Sequence, residues 1–205
     1  MIKLQTFKIF SELLLYPDNN LKNHINYAYD LLKKEGMLTT EMTKNINIFV
    51  SYIKTNDILY LQETYVSIFD RQKQFSLYLF EHIHGDSRDR GMAMIDLKNL
   101  YEKSSIEISK KNELPDFIPI FLEYLSINSK NQATLLLGEI INIISILYLR
   151  LKAIESPYYV IFYALESLSS VKPDKKIINN LINKDKDFKL HKENIDKDWE
   201  EPKVF

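Results

Sequence analysis

FEHIHGDSRDRG, residues 80–91, gathers the residue types that do chemistry: two histidines, two aspartates, two arginines and two of the chain's four glycines in twelve positions. Imidazole nitrogens and carboxylates together are a donor set for a divalent metal. Residues two apart point to different sides of a helix, so His82 and His84 can share an ion only if the helix ends by His84, and the i,i+4 histidine pair of a helical zinc site is missing. An anion is the second candidate, because Gly85, a helix start at Ser87, and Arg88 with Arg90 can together receive a phosphate. Asp86 and Asp89 in the same turn repel one, and neither P-loop nor dinucleotide spacing is present. Ser87 beside a histidine and an acid has the residue types of acyl transfer without the strand-turn-helix elbow that exposes such a serine. A metal- or nucleotide-dependent hydrolase built on this turn is thus the alternative reading.

A plain structural account is that Gly85 ends one helix, Asp86 or Ser87 caps the next, and Arg88, Asp89 and Arg90 are solvated or paired locally. That account explains the turn. It does not explain FSLYLFEH just before it, which carries Phe75, Leu77, Tyr78, Leu79 and Phe80 on nearly every side. A helix of that kind is either fully buried or lends one face to a partner.

The elements that must position this turn are predicted to be helices. Glycine and proline number only 4 and 6 in 205 residues, and they are the main punctuators of secondary structure. Phe7, Phe10 and Leu14, then Tyr65 and Phe69, then Ala93, Leu97, Leu100 and Tyr101 follow three- and four-residue spacing, with no sustained two-residue alternation at a hairpin signal. Helices are expected near 3–15, 21–34, 40–54, 57–82, 87–104, 116–128, 131–153, 157–170 and 174–183. Ser156 is placed to cap the helix opened by Pro157, and Asp116 the helix that follows Pro115. The fold class is all-α, one helical bundle over 1–170 of about nine helices, followed by a charged tail over 171–205 with nine lysines, eight acids and one short helix, expected to be loosely held.

Composition narrows function further. A net charge of -1 gives no reason to expect nucleic acid. The absence of cysteine excludes disulfides, thiolate metal sites and a cysteine nucleophile, and suits the reducing cytoplasm. Lys8 and Glu12 interrupt the apolar opening, which reads as a first helix instead of a secretory signal. ATLLLGEIINIISILYLRL, 133–151, is the most apolar segment, but Glu139 and Arg150 leave it short of a membrane span. Glu139, Asn142 and Ser145 make a narrow polar stripe on what reads as a central helix of a soluble bundle.

LYLFEHIHGDSRDRGMAMIDL (77–97), followed at a short interval by ELPDFIPIFLEYLS (113–126), closely resembles the signature of the NarJ family of nitrate reductase assembly chaperones, within the wider TorD and DmsD group of redox-enzyme maturation proteins. The resemblance extends more loosely to FKIFSELLLYPD (7–18). It implies a TorD-like, cytoplasmic, non-enzymatic helical protein that holds no cofactor stably. Such a protein binds the N-terminal segment of the apo catalytic (alpha) subunit of nitrate reductase, prevents premature membrane attachment, and permits delivery of molybdopterin guanine dinucleotide to that client. It implies no nucleic acid, no membrane insertion of its own, and either a monomer or a helix-exchanged dimer. The contact positions carried over by motif are Tyr78, Leu79, Glu81, His82, His84, Asp86, Arg88, Asp89 and Arg90, with Glu113, Pro115 and Asp116 in the second motif; none is catalytic and none is a metal ligand.

The residues themselves suit that role. An amphipathic helical peptide can lay its apolar face in a groove walled by rings such as Tyr78 and Phe80. The acids Glu81, Asp86, Asp89, Glu113 and Asp116 then select basic residues. His82 and His84 beside Glu81 and Asp86 are expected to make release sensitive to pH near neutrality.

Overall fold

Side-chain oxygens start several of the helices by accepting the free amides of a first turn. The structure is a computed structural model that describes residues 4–83, 88–104 and 113–184. After α1 (Gln5–Leu13), Asp18 accepts from Leu21 N at 2.8 Å to open α2 (Asn19–Glu35). Gly36 closes that helix at φ 69°, a left-handed value that costs a residue without Cβ little. Thr39 opens α3 (Thr40–Thr55) and Asp57 opens α4 (Ile58–Tyr65) in the same way. Then follow α5 (Leu79–Ile83), α6 (Arg88–Lys103), α7 (Ile118–Ser126), α8 (Lys130–Glu139), α9 (Ile141–Ala153), α10 (Tyr159–Leu168) and α11 (Lys175–Lys184). The described residues contain no strand, only one isolated antiparallel bridge between Tyr78 and Phe117.

The fold is all-helical, with eleven α-helices among the described residues where the periodicity predicts about nine. Two long predicted helices are each broken. Over 57–82, α4 passes into a π-helical turn, Val66–Asp70, then a 3-10 turn, Lys73–Phe75, and an extended stretch before α5. No glycine or proline marks that break. Phe75, Leu77 and Leu79 are all buried, and the chain is held extended at Tyr78 by backbone bonds that join Leu77 and Leu79 to Ile118 and Asp116. Over 131–153 the chain bends by 72° between α8 and α9. There the loop at 169–171 lies on Gly138 so closely that a Cβ would stand 2.7 Å from Val171 Cγ2. Among the described residues no single helix is long and apolar enough to cross a membrane.

Phe7, Phe10, Leu13 and Leu14 from the α1 region are buried with Ile118, Phe121, Leu122 and Leu125 of α7, and α9 packs along α10. Tyr158 anchors the start of α10, its ring fully buried against Phe49 and Phe69 at centroid distances of 5.0 and 4.9 Å. The predicted hydroxyl cap by Ser156 does not form. Its carbonyl, not its hydroxyl, accepts from Tyr159 N at 3.0 Å, because the chain is still turning there. From the charged segment 171–205, α11 seats Ile178 and Ile182 on Ile146 and Leu149 of α9. Asn142, in the predicted polar stripe, accepts from Asp174 N at 2.7 Å at the head of that helix. Residues 185–205 lie outside the described residues.

Candidate functional site

Residues 77–79 of the first motif and 116–118 of the second, with α6 between them in sequence, are laced together by their backbones. Leu79 N donates to Asp116 O at 2.9 Å and Ile118 N to Leu77 O at 2.8 Å. Side chains tighten the seam. The Tyr78 hydroxyl donates to Glu113 Oε2 at 2.8 Å, its ring lies on Phe117 at 5.1 Å, and Tyr101 of α6 donates to Pro115 O at 2.8 Å. The cap predicted for Asp116 is redirected. Its Oδ2 accepts from Phe80 N at 3.0 Å, so it opens α5 from across the seam, and Phe117 occupies the cap position of its own helix, α7. Asp116 is 0% exposed, and burial pushes its carboxyl above the usual range, partly opposed by the Phe80 amide and the positive charge of Arg90.

The candidate contact residues divide by this geometry. Tyr78, Phe80, Glu81, His82, Arg90, Glu113 and Pro115 are half-buried along one ridge. Glu81 faces Arg90 at 3.8 Å. Leu79, 2% exposed, and Asp116 are inside, where they hold the ridge instead of presenting a side chain. His84 and Asp86 lie outside the described residues, as do the side chains of Arg88 and Asp89 in the first turn of α6.

His82 is held at both ring nitrogens. Its Nε2 donates to Ser76 O at 2.8 Å, and Arg150 of α9 sets Nη1 3.4 Å from its Nδ1 while donating to Gln74 O at 2.8 Å. A guanidinium can only donate, so Nδ1 is the acceptor and the ring is the neutral Nε2–H form. With both nitrogens engaged and a cation against one of them, His82 is ill suited to a metal. Among the described residues no group of three or more histidines and acids assembles as a metal site.

Beside the ridge lies a cavity of about 280 Å³. It is lined by Leu77, Tyr78, Glu113 and Phe117 of the two motifs, by Tyr65, Phe69 and Asp70 of the helix-to-π-turn segment, and by Leu15 and Tyr16. Tyr65, Phe69, Asp70 and Tyr16 are the residues that sequence reasoning missed as site residues. The i,i+4 pair Tyr65 and Phe69 was visible as a core stripe, but nothing local tells a ring that lines an opening from one that is sealed. Burial above all, then the Glu113 and Asp70 carboxylates, pushes the Tyr78 phenol up; burial and Asp70 do the same at Tyr65. The cavity is lined by rings and by two carboxylates.

A family model described as "Nitrate reductase delta subunit" matches residues 35–145, a span that includes the seam. The chain is 36% identical over 197 residues to the nitrate reductase molybdenum cofactor assembly chaperone NarJ of Escherichia coli strain K12, covering 96% of this chain and 82% of that protein. It is 33% identical over 201 residues to the probable nitrate reductase molybdenum cofactor assembly chaperone NarW of the same strain, covering 98% and 83%. Among solved structures, a putative redox enzyme maturation protein from Archaeoglobus fulgidus superposes with a TM-score of 0.53 at 23% identity, over 80% of this chain and 91% of that one. That likeness establishes the fold.

Proposed function

The chain belongs to the nitrate reductase delta subunit family, and on that premise we propose that it is an assembly chaperone for nitrate reductase. It binds the N-terminal segment of the apo catalytic subunit, keeps that subunit from premature membrane attachment, and permits insertion of its molybdenum cofactor. The chaperone performs no chemistry; molybdopterin guanine dinucleotide is cargo for the client. The work is done in the cytoplasm, before the client reaches the membrane.

The observation that carries this reading is the joining of two distant motifs into one ridge beside an open aromatic cavity. A reaction centre needs a nucleophile and base held in reach of each other. Among the described residues, three conspicuous polar groups are occupied in holding backbone: Asp116 caps α5, His82 ties Ser76 to Arg150, and Tyr101 holds Pro115. Such a frame suits the docking of an amphipathic segment. Each large apolar side chain that it buries contributes about 1.5 to 3 kcal/mol, so two or three anchors reach micromolar affinity after ordering costs.

Co-purification from cells expressing the catalytic subunit with and without its N-terminal segment tests the proposal. Capture is expected only when the segment is present. Equal capture of both forms would refute it.

A further inference from the structure

We propose that the cavity beside the Tyr78–Phe117 ridge is a receptor for one basic side chain, lysine or arginine, of the client segment. The proposal rests on the peptide-binding reading above and names the side chain that this groove selects.

The walls are rings: Tyr65, Phe69, Tyr78 and Phe117, with the half-exposed Tyr16 at the mouth, edge-on to Tyr65 at 5.6 Å. A purely apolar anchor would be served by such walls alone. Two carboxylates also line the opening, Asp70 and Glu113, and among the described residues no basic side chain does. Neither carboxylate is paired with a basic side chain among the described residues. Glu113 is fixed by the Tyr78 hydroxyl at 2.8 Å, which leaves it further lone pairs for a second donor. A methylene stem against ring faces and a cationic head against carboxylates is the arrangement that recognises lysine or arginine, through cation–π attraction and charge-assisted hydrogen bonds. Burial raises the phenols of Tyr65 and Tyr78, and the neighbouring carboxylates of Asp70 and Glu113 raise them further.

The neighbourhood points to a peptide and not a free ion. Across Tyr16 a second depression of about 550 Å³ follows the same π-helical turn, with Leu59 and Val66 in it and the opposed charges of Glu63 and Arg71 at its edge. Tyr16 belongs to both. A helical ligand with a basic residue in the first depression can therefore continue past Tyr16 into the second.

Titration calorimetry of the full chain with a synthetic peptide of the client's N-terminal segment tests this. Asp70→Asn with Glu113→Gln keeps the shapes and the Tyr78 acceptor while removing both charges. The double variant is expected to bind about tenfold more weakly at low salt and with a flatter salt dependence. Replacing the peptide's basic residues by citrulline or norleucine should cost the wild type that affinity and the double variant little. Asp70→Asn alone, at an exposed position outside the seam, should give a severalfold loss and guards against misfolding of the pair. Tight wild-type binding that both variants retain in full, with unchanged salt dependence, overturns the basic-side-chain receptor and leaves the chaperone reading standing. If the wild type binds no such peptide, the chaperone reading falls instead, and the cavity is then probed with Nα-acetyl-arginine amide. Saturable shifts of the Tyr16, Tyr65 and Tyr78 ring resonances support the receptor, and their absence overturns it.

Discussion

Replacing Asp116 should separate what its shape does from what its charge does. The carboxylate Oδ2 is the acceptor for Phe80 N at 3.0 Å, in a position with no solvent exposure. Asp116→Ala leaves that amide without an acceptor, at a cost of about 1–3 kcal/mol, the same bond that a helix cap would contribute. Relief from burying a carboxylate offsets part of this at neutral pH, so a net loss of about 1–2 kcal/mol is expected. For a chain of this length each kcal/mol moves the melting midpoint by about 2–4 °C. Asp116→Asn keeps the acceptor and removes the ionisation. Because burial raises the folded carboxyl above its unfolded value, the group's stabilising contribution is complete below the ordinary carboxylate range. It is lost as pH rises through the folded value. The asparagine variant should therefore match wild type in acid and exceed it in stability near pH 8. Urea unfolding across that range measures both effects. An alanine variant as stable as wild type at every pH, or an asparagine variant whose advantage grows as pH falls, would refute the reasoning.

Two further outcomes follow from the same packing. At neutral pH, nitrogen-15 NMR should find the His82 proton on Nε2, since Arg150 occupies the Nδ1 side; a proton on Nδ1 would break the assignment of that tie between α5 and α9. Ile178→Ala, which removes one of the two isoleucines seating α11, should cost about 2–4 kcal/mol locally. Hydrogen exchange should accelerate in α11 while α1, α7 and α10 stay protected, and an unchanged α11 would show that the helix is held by something other than this contact.

The all-helical class was legible in the chain, because helical periodicity is a local property. Asp18, Thr39 and Asp57 cap the amide three residues on, a contact within one turn of chain. Asp116 has the right chemistry, but its partner lies 36 residues earlier, and no local pattern reports which helix a buried oxygen will cap. The break inside 57–82 escaped for a related reason. Phe75, Leu77 and Leu79 fit a helix buried all round as well as they fit an extended strand, and only the backbone of residues 116–118 decided between them. The cavity is wholly a product of tertiary structure. Tyr16, Tyr65, Asp70 and Glu113 come from three separate stretches, and whether their rings and charges meet at an opening depends on how α1, the π-helical turn and the second motif pack. Sequence alone determined which side chains could be oily, charged or capping; packing decided which of them face one another and which remain open to a partner.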